Sequence, residues 1–237
     1  FVPSNATLST IVIINNDSID AVTGILNGPG AIPLYEGTAI AVFGGTWYIS
    51  YAGGNGNDVV LNTQPVFNGT PGADIVTITP TATGADVVYN GNPAVSLVSP
   101  PNIIVNGLGG DDLTTVNLNT NTLPAGGIFF NGGTQDAPLT NGANSLHGDV
   151  LAVVGTNTQT ATYLGDGVVN AGQDNDGTVS VFGQGLITFT QLEPVDLQSL
   201  LVANVTFANG DDFVTLTNGL DAATNTNDAI VVSGTSG

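Results

Sequence analysis

Apolar positions along this chain come in short bursts rather than stripes. "STIVIIN" (9–15), "AIAVF" (39–43), "TWYISYA" (46–52), "DVVLN" (58–62) and "DIVTIT" (74–79) open the series. "DVVYN" (86–90), "NIIVNG" (102–107), "GIFFNG" (127–132) and "DVLAVVG" (149–155) continue it. "TVSVFG" (178–183), "LITFTQL" (186–192), "ANVTFANG" (203–210), "FVTLTNG" (213–219) and "AIVVSG" (229–234) close it. These runs are rich in β-branched and aromatic residues and are separated by Gly, Asn, Asp, Thr and Pro clusters, the pattern of strands joined by turns. No stretch of about 12 residues keeps a 3.6-residue apolar stripe free of such interruptions. The pattern predicts an all-β protein.

Many runs open in the same way, with Gly and Asp immediately before the apolar residues: "GNDVVL" (56–61), "GADIVTI" (72–78), "GADVVY" (84–89), "GDDLTTV" (110–116) and "GDDFVTL" (210–216). "HGDVLAV" (147–153) and "TNDAIVV" (226–232) are looser copies. Glycine allows the tight turn, and the Asp side chain accepts N–H groups of the turn backbone. The spacing is irregular, 12 residues from Asp74 to Asp86 but 100 from Asp112 to Asp212, so the repeat is degenerate and carries insertions. Near-continuous apolar strands and Asn/Thr-rich turns predict a right-handed parallel β-helix-like rod. One or two β-sandwich domains are the alternative. Residues 1–63 are expected to form an N-terminal β segment and 64–237 a repeat region, with "NTQPVFNGTPG" (62–72) as the linker between them.

Charge changes the picture most. Only 8% of the 237 residues are charged, 19 are acidic, and there is no Lys or Arg, for a net charge of −19; an ordinary domain is about 25% charged. Every carboxylate must therefore be solvated, hydrogen-bonded or metal-bound. Nucleic acid is excluded as a partner because nothing can neutralise its phosphates. Anionic membrane surfaces are excluded likewise, and no apolar run approaches the ~18 residues of a membrane span. The absence of Cys and Met leaves no disulfide framework and little to oxidise. A secreted, surface-exposed chain is expected, and a start at Phe1 suits a processed or excised piece of a longer one.

"INNDSIDAVTGILNGPG…YEGTAIAVFGGTWYISYAGGNGNDVVLNT" (14–63) resembles the terminal element of autotransporter-associated β-strand modules in large secreted bacterial adhesin-like proteins. There a V-x-G-x-φ segment precedes a φ-x-I-x-Y strand and then G-G-x-G-N-D-V-x-L. Downstream, "NGTPGADIVTIT", "NGLGGDDLTTVNL", "IFFNGG", "GDVLAVVG", "ITFTQLEPVDL" and "SGTSG" resemble the degenerate haemolysin-type calcium repeats of the same proteins. The resemblance implies an extracellular β-rich rod or fibre segment without enzymatic activity.

Calcium is the candidate cofactor, since it takes six to eight oxygen ligands. "GGNGNDVVL" (53–61) holds one full nonapeptide of the calcium-solenoid type, G-G-x-G-x-D-x-U-x, with Asp58 at its aspartate position; "GLGGDD" (107–112), "GQDNDGT" (172–178) and "NGDD" (209–212) are partial. The candidate ligands are Asp58, Asp111, Asp112, Asp174, Asp176, Asp211 and Asp212. A solenoid row needs tandem copies, and only one is complete, so Asp as a turn-former ahead of a strand is the competing reading. N-x-S/T sequons make Asn5, Asn16, Asn68 and Asn204 candidate glycan sites. "TLSTIVIINN" (7–16) is charge-free and Pro-free, an aggregation hazard if exposed. Thr7, Leu8, Ile11, Val12, Ile13 and Ile14 are therefore candidates for self-association, either paired within the fold or donated to a neighbour.

An enzyme is not expected. Polysaccharide lyases of β-helical type need cationic residues, and the hydrolase-like fragments "GDD" (110–112), "LHGD" (146–149) and "NTND" (225–228) occur in the wrong order. His147 is the single histidine, so no His-paired site can form. The expected function is a subunit or segment of a surface fibre or adhesin assembling head to tail through strand edges. A calcium-stabilised module of a giant adhesin with surface-glycan partners is the first alternative, and a polysaccharide-active β-helix enzyme the second.

Overall fold

The computed structural model describes residues 10–16, 22–54, 56–134, 148–165, 175–192, 195–206, 213–219 and 229–235. Among them the chain is all-β, with one 3-10 turn at Pro29–Ala31 and no α-helix. The N-terminal strands are β1 (Thr10–Ile14), β2 (Ala39–Val42), β3 (Gly45–Gly53) and β4 (Asp58–Asn62). They form one antiparallel sheet in the order β1-β4-β3-β2. The β2–β3 hairpin turns on Phe43 and Gly44, both at positive φ, the backbone twist that suits a two-residue hairpin.

The chain then passes back and forth between two larger sheets. Its strands are β5 (Val66–Asn68), β6 (Ile75–Thr81), β7 (Gly84–Tyr89), β8 (Val95–Val98), β9 (Ile103–Asn106) and β10 (Leu113–Asn117). They continue as β11 (Ile128–Asn131), β12 (Val150–Val154), β13 (Thr160–Gly165), β14 (Asn175–Val181), β15 (Gly185–Leu192), β16 (Val195–Gln198) and β17 (Val202–Thr206). One sheet runs β16-β12-β10-β6-β7-β8 and the other β17-β13-β14-β15-β11-β9-β5. A final hairpin of β18 (Phe213–Gly219) and β19 (Ala229–Thr235) pairs only with itself.

The parallel part is built from pairs of strands stacked in register. In one sheet β5, β9, β11 and β15 are parallel neighbours; in the other β6, β10, β12 and β16 are. Register places Phe67, Val105, Phe130 and Phe189 in one column and Ile103, Ile128 and Ile187 in another. Opposite them, Ile78, Val116, Val153 and Leu197 form a third. Alternation along each strand sends these side chains into one shared core. Burial of each such side chain contributes about 1.5–3 kcal/mol.

The regular parallel rod expected from sequence is corrected by the mixed pairing. β7 and β8 return antiparallel beside β6, and β13 and β14 are an antiparallel excursion between β12 and β15. The linker expectation for 62–72 also fails, because it contains β5, whose Phe67 is fully buried. The N-terminal sheet uses both faces of β3. Ile49 packs with Val59 and Leu61 into a small core of its own, while Tyr48 on the other face joins the main one.

Candidate functional site

The chemistry concentrates at the corner where the chain leaves one large sheet for the other. "NGTPGAD" (68–74) and "NGLGGDD" (106–112) place Asn at the end of a strand, Gly next, and Asp just ahead of the following strand. The Asn side chains form a ladder: Asn106 Nδ2 donates to Asn68 Oδ1 (2.7 Å), and Asn68 Nδ2 donates to Ser50 Oγ and the Ala52 carbonyl (both 3.1 Å). The glycines are required by space rather than by φ. A Cβ on Gly107 would overlap Asp112 Oδ2 and the Gly132 carbonyl oxygen. One on Gly132 would overlap the Gln191 carbonyl oxygen and Asp149 Oδ2.

The aspartates stack in the same way. The backbone N–H of Asp74 donates to Asp112 Oδ1 (2.7 Å), and that of Asp112 donates to Asp149 Oδ1 (2.8 Å). All three are buried. Asp112 and Asp149 therefore each fasten the preceding corner, whose backbone N–H is the partner that a Lys or Arg cannot supply in this chain. Their surroundings differ. Asp74 Oδ2 accepts from Thr70 N–H (2.5 Å) and Thr70 Oγ1 (3.0 Å), while its Oδ1 accepts from the Tyr89 hydroxyl (3.0 Å) and from Asn90 Nδ2. Asp112 Oδ2 is buried and accepts nothing.

Burial pushes the Asp112 carboxyl up to about 7; the N–H of Asp74 opposes this, and the negative charges of Asp149, Asp74 and Asp111 add to it. Burial and the facing Asp74 carboxylate likewise push the Tyr89 hydroxyl up, so it remains a donor. A fourth buried carboxyl, Glu36, lies where the N-terminal sheet meets β5. It accepts the N–H of Tyr51 (2.8 Å) and of Asn68 (3.3 Å) and bonds the Ser50 side chain. Burial outweighs these bonds and pushes it to about 7.

Among the described residues, the candidate calcium ligands do not converge. Among the described residues no group of three or more His, Asp or Glu side chains is arranged to hold a metal ion. Asp58 is buried, and its Oδ1 accepts the Asn16 N–H (2.9 Å), tying down the segment after β1. Asp111 is half-buried beside Asp112. Asp176 sits at a β-bulge of β14 and accepts the Gln191 N–H (3.0 Å). Asp58 and Asp176 thus each use the carboxylate to fasten a backbone N–H, as a fold-fastening Asp does. Asp174, Asp211, Asp212 and His147 lie outside the described residues.

Of the sequons, Asn5 lies outside the described residues, and Asn16 is half-buried. Asn68 has its amide nitrogen, the atom that would carry a glycan, committed to Ser50 and Ala52. Asn204 is exposed on β17, with its Nδ2 3.4 Å from Thr162 Oγ1. Thr7 and Leu8 lie outside the described residues. Ile11 packs on the small N-terminal core, whereas Val12, Ile13 and Ile14 are 52, 47 and 43% exposed. β1 pairs with β4 on one side and is an outer strand on the other.

Sequence reasoning missed Glu36, Asp74 and Asp149 as site residues. For the two aspartates the signal is a period: Asp74 and Asp112 are 38 residues apart, Asp112 and Asp149 37, and Asn68 and Asn106 38. Asp86, which made the spacing look irregular, belongs to the β7 excursion and accepts the Ser96 hydroxyl instead. Comparison of the chain with protein-family models, with curated proteins and with solved structures returned no match.

Proposed function

We propose that this protein is an extracellular structural segment, a fibre or adhesin module, that assembles with further copies of itself by strand addition. The stacked pairs β5/β6, β9/β10, β11/β12 and β15/β16 are read as rungs of a short β-helical rod interrupted by hairpins. The observation that carries the assembly reading is the β1 edge. An outer strand is ordinarily guarded by Lys, Pro or a covering loop. Here it carries three exposed aliphatic side chains, and the chain has no Lys to guard it. The far end is similarly apolar: Leu201, Val202 and Val205, in and beside outer strand β17, are 65, 42 and 39% exposed. Pairing β1 of one copy with β17 of the next is a heterologous contact, which propagates into a filament rather than closing.

Ile13→Asp is the test. Ile13 lies at the bulge of β1 and has no partner in register on β4, so the change spares the fold while adding a charge to the free edge. Negative-stain microscopy and sedimentation at about 0.1 M salt, where charges are screened beyond ~10 Å, should show filaments of the parent chain. The variant should remain monomeric with an unchanged β-type circular dichroism spectrum. A parent chain that stays monomeric up to high concentration, or a variant that still forms filaments, would defeat the proposal.

A further inference from the structure

We infer that the carboxyl corner is a proton-binding site: Asp112 and Glu36 take up protons as the pH falls below neutrality, and the folded chain tightens as they do. The inference goes beyond the assembly reading and does not depend on it. Its basis is geometric. Asp112 has one oxygen bonded to the Asp74 N–H and the other buried without a donor. That second oxygen borders the same small space over Gly107 as the Gly132 carbonyl oxygen. A proton on Oδ2 turns a buried, donor-less anion into a hydroxyl with an acceptor beside it.

The groups facing Asp112 are all acidic or neutral: Asp74 ahead of β6, Tyr89 on β7, Asp149 ahead of β12, and its neighbour Asp111. Glu36 faces Ser50 and Tyr51 of β3 and is felt by Tyr89. No Lys or Arg exists anywhere in the sequence to hold either group ionised. Both carboxyls stand near 7 when folded against ordinary values of 3.8 and 4.5. Between those limits the folded chain binds more protons than the unfolded one, so stability rises as the pH falls. The gain begins near neutrality and is complete once the pH reaches the ordinary carboxyl range.

The test is urea unfolding of the monomer from about pH 8.5 to about pH 5, followed by circular dichroism. The unfolding equilibrium constant of the parent chain should fall about 100-fold across that range, a conservative figure for two groups each worth tenfold per unit of pKa shift. Asp112→Asn mimics the protonated acid: it should be more stable than the parent at the alkaline end and lose most of the slope. Glu36→Gln should remove a further part. Asp86→Asn, which deletes one half-exposed charge that accepts Ser96, should leave the slope in place and so separates the corner from the relief of net charge. A parent chain whose stability is flat or falls on acidification overturns the inference. So does an Asp112→Asn chain that keeps the parent slope, or one that fails to fold. Because the measurement reads monomer unfolding, its failure leaves the edge-assembly proposal standing.

Discussion

Phe130→Ala is expected to lower stability by about 3–5 kcal/mol, the range for deleting a large aromatic from a packed core. Phe130 is 2% exposed and stands between Val105 and Phe189 in a column that begins at Phe67. Strands above and below are fixed by parallel hydrogen bonding, so the hole cannot close by moving one neighbour. In a chain of this size the loss corresponds to a fall in Tm of roughly 10 °C or more. Phe129 provides the internal control. It lies on the same strand facing the other way, half-buried beside Ile104 and Thr188, and Phe129→Ala should cost less than half as much. Equal losses would mean that the inward and outward faces of β11 are misassigned.

Gly107→Ala is the second large effect, expected to cost about 3 kcal/mol, the upper part of the range for overpacking. The new methyl meets Asp112 Oδ2 and the Gly132 carbonyl oxygen. Neither is the free end of a flexible chain, since the Asp112 carboxylate is held through its Oδ1 by the Asp74 N–H and the other is backbone. The corner must therefore shift as a unit and disturb the bonds to Asp74 and Asp149. Combining it with Asp112→Ala removes one of the two collisions, so the double variant should be less destabilised than the sum of the singles. Thermal or urea unfolding of the four chains measures the coupling. Strict additivity would show that Gly107 and Asp112 do not share the space.

Much of the strand content was legible because β-branched runs bounded by turn residues have few other outcomes. "FVTLTNG" and "DVVLN" coincide with β18 and β4. The strands left out were β5, β8, β13 and β16. Each is short or polar: "VFN" is flanked by Pro65 and Gly69, and "TATYLG" and "VDLQ" alternate with small or acidic residues. Their strand character comes from neighbours, since β5 exists because β9 offers it a ladder and the core accepts Phe67. The mixed topology was hidden for a related reason. Nothing in "DVVYN" distinguishes a strand that stacks on the next rung from one that folds back as a hairpin. The corner itself was half visible. Asp as the turn residue before a strand was read correctly, but its use as an acceptor for the preceding corner's N–H needs the 37–38-residue stacking, which hairpin insertions obscure. Glu36 carried no local signal at all, because its role depends on meeting Asn68 and Tyr51 across the junction of two sheets.

The fold rests on those stacked corners, and amide hydrogen exchange followed by NMR tests them most directly. The amides of Asp74 and Asp112 lie outside every strand, where turn amides ordinarily exchange fast. Here they donate to buried carboxylates, so they should be protected to the same degree as the core amides of Ile78 and Val116, opening only with the whole stack. Exchange of Asp74 and Asp112 as fast as that of the exposed Gly72 amide, with Ile78 and Val116 still protected, would contradict it.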